Sequence, residues 1–208
     1  NASKWDWEKG LGDWFKDPAK ADATTPRAPT CAFCHMPSGD HGVRTAWGFL
    51  ALRLPEDDKE WMADRVEILK ALGVLDKDGK PTARLDVVKA GDLARLSKED
   101  WDKERGRMEA QCVKCHAPGT VKAELGKADE IVRAGDRLMA EAIREVSGLY
   151  RDGILPEPKD RPFHVDLLRL YGVEHHIEQK LYVMLMEHRM GNFQGACHMT
   201  HDYQHWYG

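Results

Sequence analysis

Two copies of the pattern Cys-x-x-Cys-His constrain this chain more than any other feature. They read Cys31-Ala-Phe-Cys34-His35 and Cys112-Val-Lys-Cys115-His116. Two thiols three positions apart can form thioethers to the two vinyl groups on one edge of a haem, and the adjacent histidine is then held under the iron as its proximal ligand. The pattern is the signature of c-type haem attachment. The sequence therefore predicts two covalently attached c haems, with His35 and His116 as the proximal ligands.

Three other uses of paired cysteines fit less well. A thioredoxin-like motif lacks the fixed histidine and belongs to a βαβ pattern, which is not found here. A four-cysteine zinc site usually separates its pairs by about 15–20 residues, whereas helical sequence from 35 to 111 separates these pairs. A disulfide within Cys-x-x-Cys would be strained and would leave the histidine unexplained.

Composition places the chain among globular proteins that do not bind nucleic acid. Hydrophobic residues make up 42% of the 208 residues and charged residues 32%, which favours a packed core over disorder. The formal charge of −4 argues against nucleic acid, which usually requires a basic surface. No apolar run approaches the ~20 residues of a membrane span. The first residues lack the basic and apolar regions of a secretory signal, so either the mature sequence is given or the signal was left out. Because haem is normally attached after export, we expect a periplasmic or equivalent exported compartment.

The hydrophobic pattern predicts an all-α fold, a multihaem cytochrome c scaffold of long helices and irregular haem-binding loops. We expect a single dihaem domain over 1–208, with a first haem segment at about 1–55 and a second haem segment and helical tail at about 97–208. Acidic residues after Pro55, the cap Ser97 and the breaker Asp152-Gly153 set several boundaries. Helices are predicted from Pro55 to Gly73, at about 82–95, from Ser97 into Cys112, and at about 121–151, 163–171 and 174–190, before an irregular tail.

The spare histidines determine what kind of haem protein this is. Eight histidines remain for two irons, which favours bis-His, low-spin electron carriers. The distal candidates, in order, are His41, His198 and His188, and a methionine ligand is an alternative. His41 follows His35 too closely to reach the far side of the same haem, so we expect it on a different one. His188 continues an apolar stripe through Ile177 and Leu181, so it is equally well explained as a core packing residue.

The tail raises two further alternatives. Cys197-His198 resembles half a haem pentad, yet Gln194 stands where the first cysteine would be. A free or buried thiol is the better interpretation of Cys197. The tail histidines could also bind zinc, which we consider the weaker interpretation.

The order of several short motifs resembles a known family. These motifs are Lys4-Trp-Asp-Trp7, Ala28 to Met36 around the first pentad, His41, Thr45-x-Trp47, the second pentad, Leu149 to Leu155, and the final Gly-x-x-His198. Together they resemble the C-terminal part of the octahaem hydroxylamine oxidoreductase family, which carries its last two haems. In that family these haems are low-spin, bis-His electron carriers in a helical scaffold. The catalytic haem belongs to an N-terminal portion that has no counterpart here.

The resemblance implies a protein without a catalytic site of its own. We expect a dihaem electron-transfer cytochrome, an accessory subunit of a hydroxylamine oxidoreductase-like octahaem enzyme of nitrogen metabolism. Its partner in a hetero-oligomer would be that octahaem protein or another multihaem redox protein. The alternative is a C-terminal fragment of the oxidoreductase itself, acting in hydroxylamine or hydrazine oxidation or nitrite reduction. A dihaem peroxidase is a weaker option, because it needs an iron with an open position.

The resemblance also raises a crosslink. In the oxidative members a tail tyrosine is bonded to the catalytic haem of a neighbouring subunit, and Tyr203 and Tyr207 lie near that place. The run around Tyr203 looks more like the relatives without the crosslink, so we do not expect one here.

Overall fold

The computed structural model describes residues 34–36, 53–156, 165–168 and 175–199. Within these ranges the chain is helical, and its only extended pairing is the isolated bridge between Leu75 and Pro81. The predicted all-α class is confirmed. The helices are α1 (Lys59–Ala71), α2 (Ala83–Ala90), α3 (Lys98–Cys112), α4 (Pro118–Arg151), α5 (His176–Val183), a π-helical segment (Met184–Arg189) and α6 (Met190–Cys197).

Short polar side chains begin the first three helices. The side chain of Asp58 accepts from the Trp61 amide at 3.0 Å at the start of α1. The Thr82 hydroxyl accepts from the Arg84 amide at the start of α2, and the Ser97 hydroxyl accepts from the Asp100 amide at the start of α3. Each such cap satisfies one of the amides that a helix start leaves without a partner. Helix α4 instead begins with a proline at its first position, where the missing N–H costs nothing. The prediction that Ser97 opens a helix running into Cys112 is confirmed.

Two predicted helices differ from the structure. Helix α2 ends at Ala90 rather than 95, because the chain turns at Gly91 and Asp92 has a φ of 53°. The predicted helix 163–171 is wrong for residues 165–168, which form a turn. The Asp166 carboxylate accepts from the Leu168 amide at 3.2 Å and from both Arg84 guanidinium nitrogens at 2.8 Å. This carboxylate takes up backbone donors locally and so favours a turn over a helix.

The predicted irregular tail is also wrong for residues 191–197. Helix α6 continues to Cys197 because Met190, Phe193 and Ala196, at helical spacing, are buried in one cluster with residues of α4. The predictions for the tail beyond residue 199 lie outside the described residues.

Helix α4 is the central element, and α1, α3, α5, the π-helical segment and α6 pack along it. Helix α6 runs antiparallel to it: Arg189 contacts Asp136, and Asn192 donates to the Ile131 carbonyl, nearer the start of α4. A five-residue turn joins α3 to α4, and Arg105 of α3 donates to the Asp129 carboxylate of α4 at 2.8 Å.

Two clusters divide the interior along α4. The apolar cluster lies on its C-terminal half and is made of aliphatic side chains around Ile68, Leu72 and Met139, together with Tyr150. The mixed cluster lies on its N-terminal half. It comprises Trp61, Trp101, Ala128, Val132, Met190, Phe193 and Ala196, with the arginines and aspartates that stack on or bind to them. No helix in the described ranges combines the length and apolar character needed to cross a bilayer.

Candidate haem-binding sites

The side chain of His198 faces that of His35, the histidine of the first pentad. The two ring centres are 6.0 Å apart and the ring planes are tilted by 39°. His35 is half-buried and His198 is exposed. The structure thus brings together a predicted proximal ligand and one of the three predicted distal ligands.

The end of α6 orients the His198 ring. Its Nδ1 lies 2.8 Å from the Gln194 carbonyl oxygen. Because a carbonyl oxygen only accepts, Nδ1 carries the proton and donates it to this bond. Nε2 is then the nitrogen with the free lone pair, which is the usual way a protein prepares a histidine to bind a metal.

The spacing of the two rings fits one metal ion between them. A metal–imidazole bond is about 2.0–2.1 Å long, and the ring centre lies about 1.1 Å beyond the nitrogen, so two rings on one metal have centres about 6 Å apart. Burial, and next the neighbouring His198, lower the pKa of His35 below its usual value. Both effects favour the neutral imidazole, which is the form that binds a metal. This pair fits the axial positions of a haem iron.

The second pentad lies in the turn between α3 and α4. Cys112 is the last residue of α3, and the amides of Cys115 and His116 both donate to its carbonyl, at 3.1 and 3.0 Å. Cys115 and His116 are exposed and Cys112 is half-buried. Both cysteines are free thiols, which argues against the strained disulfide. Two thiols and an imidazole are therefore presented on one tight turn, as covalent haem attachment requires.

The comparison with known families agrees with this site. Residues 81–162, which include the second pentad, match a family described as "Seven times multi-haem cytochrome CxxCH". The match supports a multihaem c-type cytochrome. It also supports covalently bound haem c and electron transfer. The chain itself has two Cys-x-x-Cys-His pentads. No solved structure matches the chain.

Several predicted site residues lie outside the described residues, namely Cys31, His41, Tyr203 and Tyr207. Cys34, the second thiol of the first pentad, is exposed. Within the described ranges, His116 has no ring partner of the kind that His35 has. Its distal ligand therefore remains a prediction.

The placement of His188 on the core-facing stripe is wrong. His188 is exposed and Arg189 is buried in its place. The cause is the π-helical segment Met184–Arg189, since an i→i+5 turn holds one more residue than an α turn and displaces every later residue by one position. An uninterrupted helical period could not predict this shift.

Cys197 is a free, half-buried thiol, as predicted. Burial, with a smaller contribution from Asp129, raises its pKa to about 12, so it is protonated at neutral pH. Within the described residues there is no group of three or more side chains able to hold a metal ion. The zinc interpretation gains no support there, and the rest of the tail lies outside the described ranges.

A buried ionic group in the mixed cluster was missed from the sequence. The Asp136 carboxylate accepts from Trp61 Nε1 at 2.7 Å and from Arg189 Nε at 2.9 Å, and it lies 2.5 Å from Arg65 Nε. Arg65 and Asp136 are fully buried, and burial lowers the pKa of Arg65 to about 10. The one signal in the sequence was the inward position of Asp136, one turn from Val132 and from Met139 on the apolar face of α4.

Proposed function

We propose that this protein is a dihaem c-type cytochrome that transfers electrons through two low-spin, bis-His haems. The haem of the first pentad would be held by Cys31 and Cys34, with His35 and His198 as axial ligands. The haem of the second pentad would be held by Cys112 and Cys115, with His116 and His41, since His41 is expected on a haem other than that of His35. When bound, haem c supplies a one-electron couple.

The single observation that carries the proposal is the His35–His198 pair. The two imidazoles are at the separation that one metal requires, and the Gln194 carbonyl fixes the tautomer of His198. Two histidines capping one iron leave no open position for a substrate. This geometry favours electron transfer over peroxidase chemistry.

The packing of the mixed cluster supports a relay between the two haems. Met108, one turn before Cys112, packs against this cluster, and so does Cys197, the neighbour of His198. The end of α3, which leads into the second pentad, and the end of α6, which carries His198, therefore lie at the same end of α4. Both haem-binding segments are anchored to one rigid group of side chains.

The proposal extends to the partner and the compartment. On the resemblance described above, the protein would be an exported accessory subunit that docks on an octahaem hydroxylamine oxidoreductase-like enzyme of nitrogen metabolism. The match to a family with seven haem motifs supports a setting with several haems.

A second candidate is favoured by the same match. A piece of a longer multihaem oxidoreductase would match such a family over part of its length, as residues 81–162 do. The chain would then be the C-terminal part of the octahaem enzyme. Intact mass and peptide mapping of the protein from native extract distinguish this candidate from a separate subunit.

The ligand assignment is tested on the purified holoprotein by electron paramagnetic resonance and by carbon monoxide binding. We expect two covalent haems in the intact mass and six-coordinate low-spin iron at both. His198→Ala should make one of the two haems high-spin and able to bind carbon monoxide. His188→Ala makes the same change at an exposed position of the π-helical segment that precedes α6. It is the matched control and should leave the spin state and carbon monoxide binding of both haems unchanged. If His198→Ala left both haems low-spin, the assignment would be wrong.

The partner is tested by size-exclusion chromatography with light scattering on native extract. Co-elution with a multihaem protein, and faster haem oxidation or reduction when that protein is added, are the expected results. A lone 23.6 kDa species whose electron-transfer rate ignores an added octahaem protein would contradict the accessory role.

A further inference from the structure

The rod formed by α5, the π-helical segment and α6 contains two helical phases. Leu181 and Leu185, before and within the π-helical segment, face the apolar cluster. Beyond Leu185 the buried positions are Arg189, at the end of that segment, and then Met190, Gly191, Phe193, Gly195 and Ala196 in α6. An uninterrupted α-helix from Leu181 would instead turn position 188 inward, because its period is 3.6 residues, whereas His188 is exposed here. The extra residue of the π turn accounts for the difference.

The same shift decides which side chain reaches His35. In the uninterrupted helix each place on α6 would be occupied by the residue one number lower. His188 would take the place of Arg189, and Cys197 would take the place of His198. The π turn therefore determines that an imidazole, rather than a thiol, faces His35.

Contacts with α4 hold the chain in the π-shifted register. Arg189 Nε donates to the Asp136 carboxylate at 2.9 Å and its Nη2 at 2.5 Å, with both side chains buried. Asn192 Nδ2 donates to the Ile131 carbonyl at 3.2 Å. Gly135 allows this close approach, because a Cβ there would lie 2.5 Å from Asn192 Nδ2. A register shifted by one residue would put the imidazole of His188 against Asp136 in place of a guanidinium.

We propose that Arg189, bound to Asp136, is a positioning residue that fixes the register of α6 so that His198 faces His35. Arg65 and Trp61 complete the group by binding Asp136 from α1. The inference rests on the proposed ligation by His198 and adds the residue that places His198, rather than Cys197, opposite His35.

The first test is Arg189→Gln in the holoprotein. The variant retains a polar side chain, and Asp136 keeps Arg65 and Trp61. We expect the bis-His signal of one haem to fall and the fraction of protein that binds carbon monoxide, or shows a thiolate-ligated signal, to rise at least several-fold. Arg144→Gln removes a guanidinium from an exposed ion pair on α4, with Asp64, and is the matched control with no expected change.

The second test separates register from general destabilisation. The π turn holds one residue more than an α turn. Deleting His188 removes that extra residue, so the helix can be regular while Arg189 and His198 keep their present positions. We expect the deletion alone to retain low-spin iron. In the Arg189→Gln background it should restore the bis-His signal, which it could not do if Arg189 only contributed stability.

The outcomes distinguish the proposal from the function on which it rests. If His198→Ala leaves both haems low-spin, the ligation itself is refuted. If His198→Ala makes a haem high-spin but Arg189→Gln does not, only the register proposal falls. If Arg189→Gln fails to fold, the single deletion decides: retained low-spin iron supports the proposal, and a high-spin haem overturns it.

Discussion

The two halves of α4 are covered by cores of different chemistry. The C-terminal half is packed by the apolar cluster, in which aliphatic side chains from α1, α2, α5 and the loops meet, with the Arg84–Asp166 ion pair beside it. The N-terminal half is packed by the mixed cluster, in which tryptophans, arginines and aspartates share the interior. The N-terminal half adjoins both candidate haem sites, and the arginines and tryptophans of the mixed cluster hold helix ends in place.

The comparison suggests that stability and ligand placement are divided along one helix. An aliphatic core can adjust slightly with little loss of stability, because dispersion and the hydrophobic effect have little directionality. A buried ion pair offsets the cost of desolvation only when its geometry is good. The apolar cluster would then supply most of the folding free energy, and the mixed cluster would supply most of the precision at the haem sites.

The largest expected effect comes from replacing Cys112 and Cys115 together by alanine. One of the two proposed haems should disappear from the intact mass. Amide hydrogen exchange should rise most in α3 and α6 and least in α1 around Leu72, because only the mixed cluster adjoins the haem sites. Equal loss of protection in both halves would contradict the division of roles.

A cavity in the apolar cluster should lower the stability of the protein and leave both haem sites unchanged. Met139 is fully buried, and Met139→Ala is expected to reduce the free energy of unfolding by about 2–5 kcal/mol. Urea denaturation of the holoprotein measures the loss. The spin state and carbon monoxide binding of both haems should remain as in the parent, and a high-spin haem in this variant would break the comparison.

A smaller loss is expected from Arg84→Gln, at the periphery of the apolar cluster. The variant removes the bidentate guanidinium partner of the Asp166 carboxylate, whose side chain is 4% exposed. The free energy of unfolding should fall by about 1–3 kcal/mol. Lys127→Gln, which removes an exposed ion pair with Glu124, is the control and should cost less than about 0.5 kcal/mol. Equal unfolding free energies for the two variants would show that the Arg84 pair does not tie the 165–168 turn to α2.

The smallest expected effect is that of a helix cap. Ser97→Ala removes the cap of α3 and should cost about 1 kcal/mol. Thr82→Ala, which removes the cap of α2, should cost a similar amount. Because α3 leads into the second pentad and α2 does not, only Ser97→Ala should raise amide exchange at residues 113–117. The same rise in the Thr82 variant would count against the assignment of α3 to the haem region.

The parts of the fold that could be predicted are those set by local chemistry. The cap Ser97, the breaker at Asp152-Gly153 and the period of α4 each act within one or two turns, and the helices follow them. The second pentad could also be predicted as a site, since its spacing has one main chemical use.

The missed features depend on contacts distant in sequence. His188 was assigned to the core by a 3.6-residue period that the π turn interrupts, and nothing local to residues 184–189 indicates that turn. Asp136 was passed over because a carboxylate on an apolar face is explained only by Arg65 and Arg189, 71 and 53 residues away. The pairing of His35 with His198 spans most of the chain, so the sequence could give the candidates but not the choice.

The ends of the helices give the two candidate sites different electrical surroundings. His198 follows the carboxyl end of α6, where aligned peptide dipoles present partial negative charge and favour a nearby positive charge by about 0.3–1 kcal/mol at low ionic strength. His116 lies between the carboxyl end of α3 and the amino end of α4, whose opposite partial charges offset each other. A gain of positive charge, as on oxidation of an iron, is therefore favoured more by the backbone beside His198 than beside His116. Under the proposed bis-His ligation, the haem at His198 is therefore expected to have the lower reduction potential of the two.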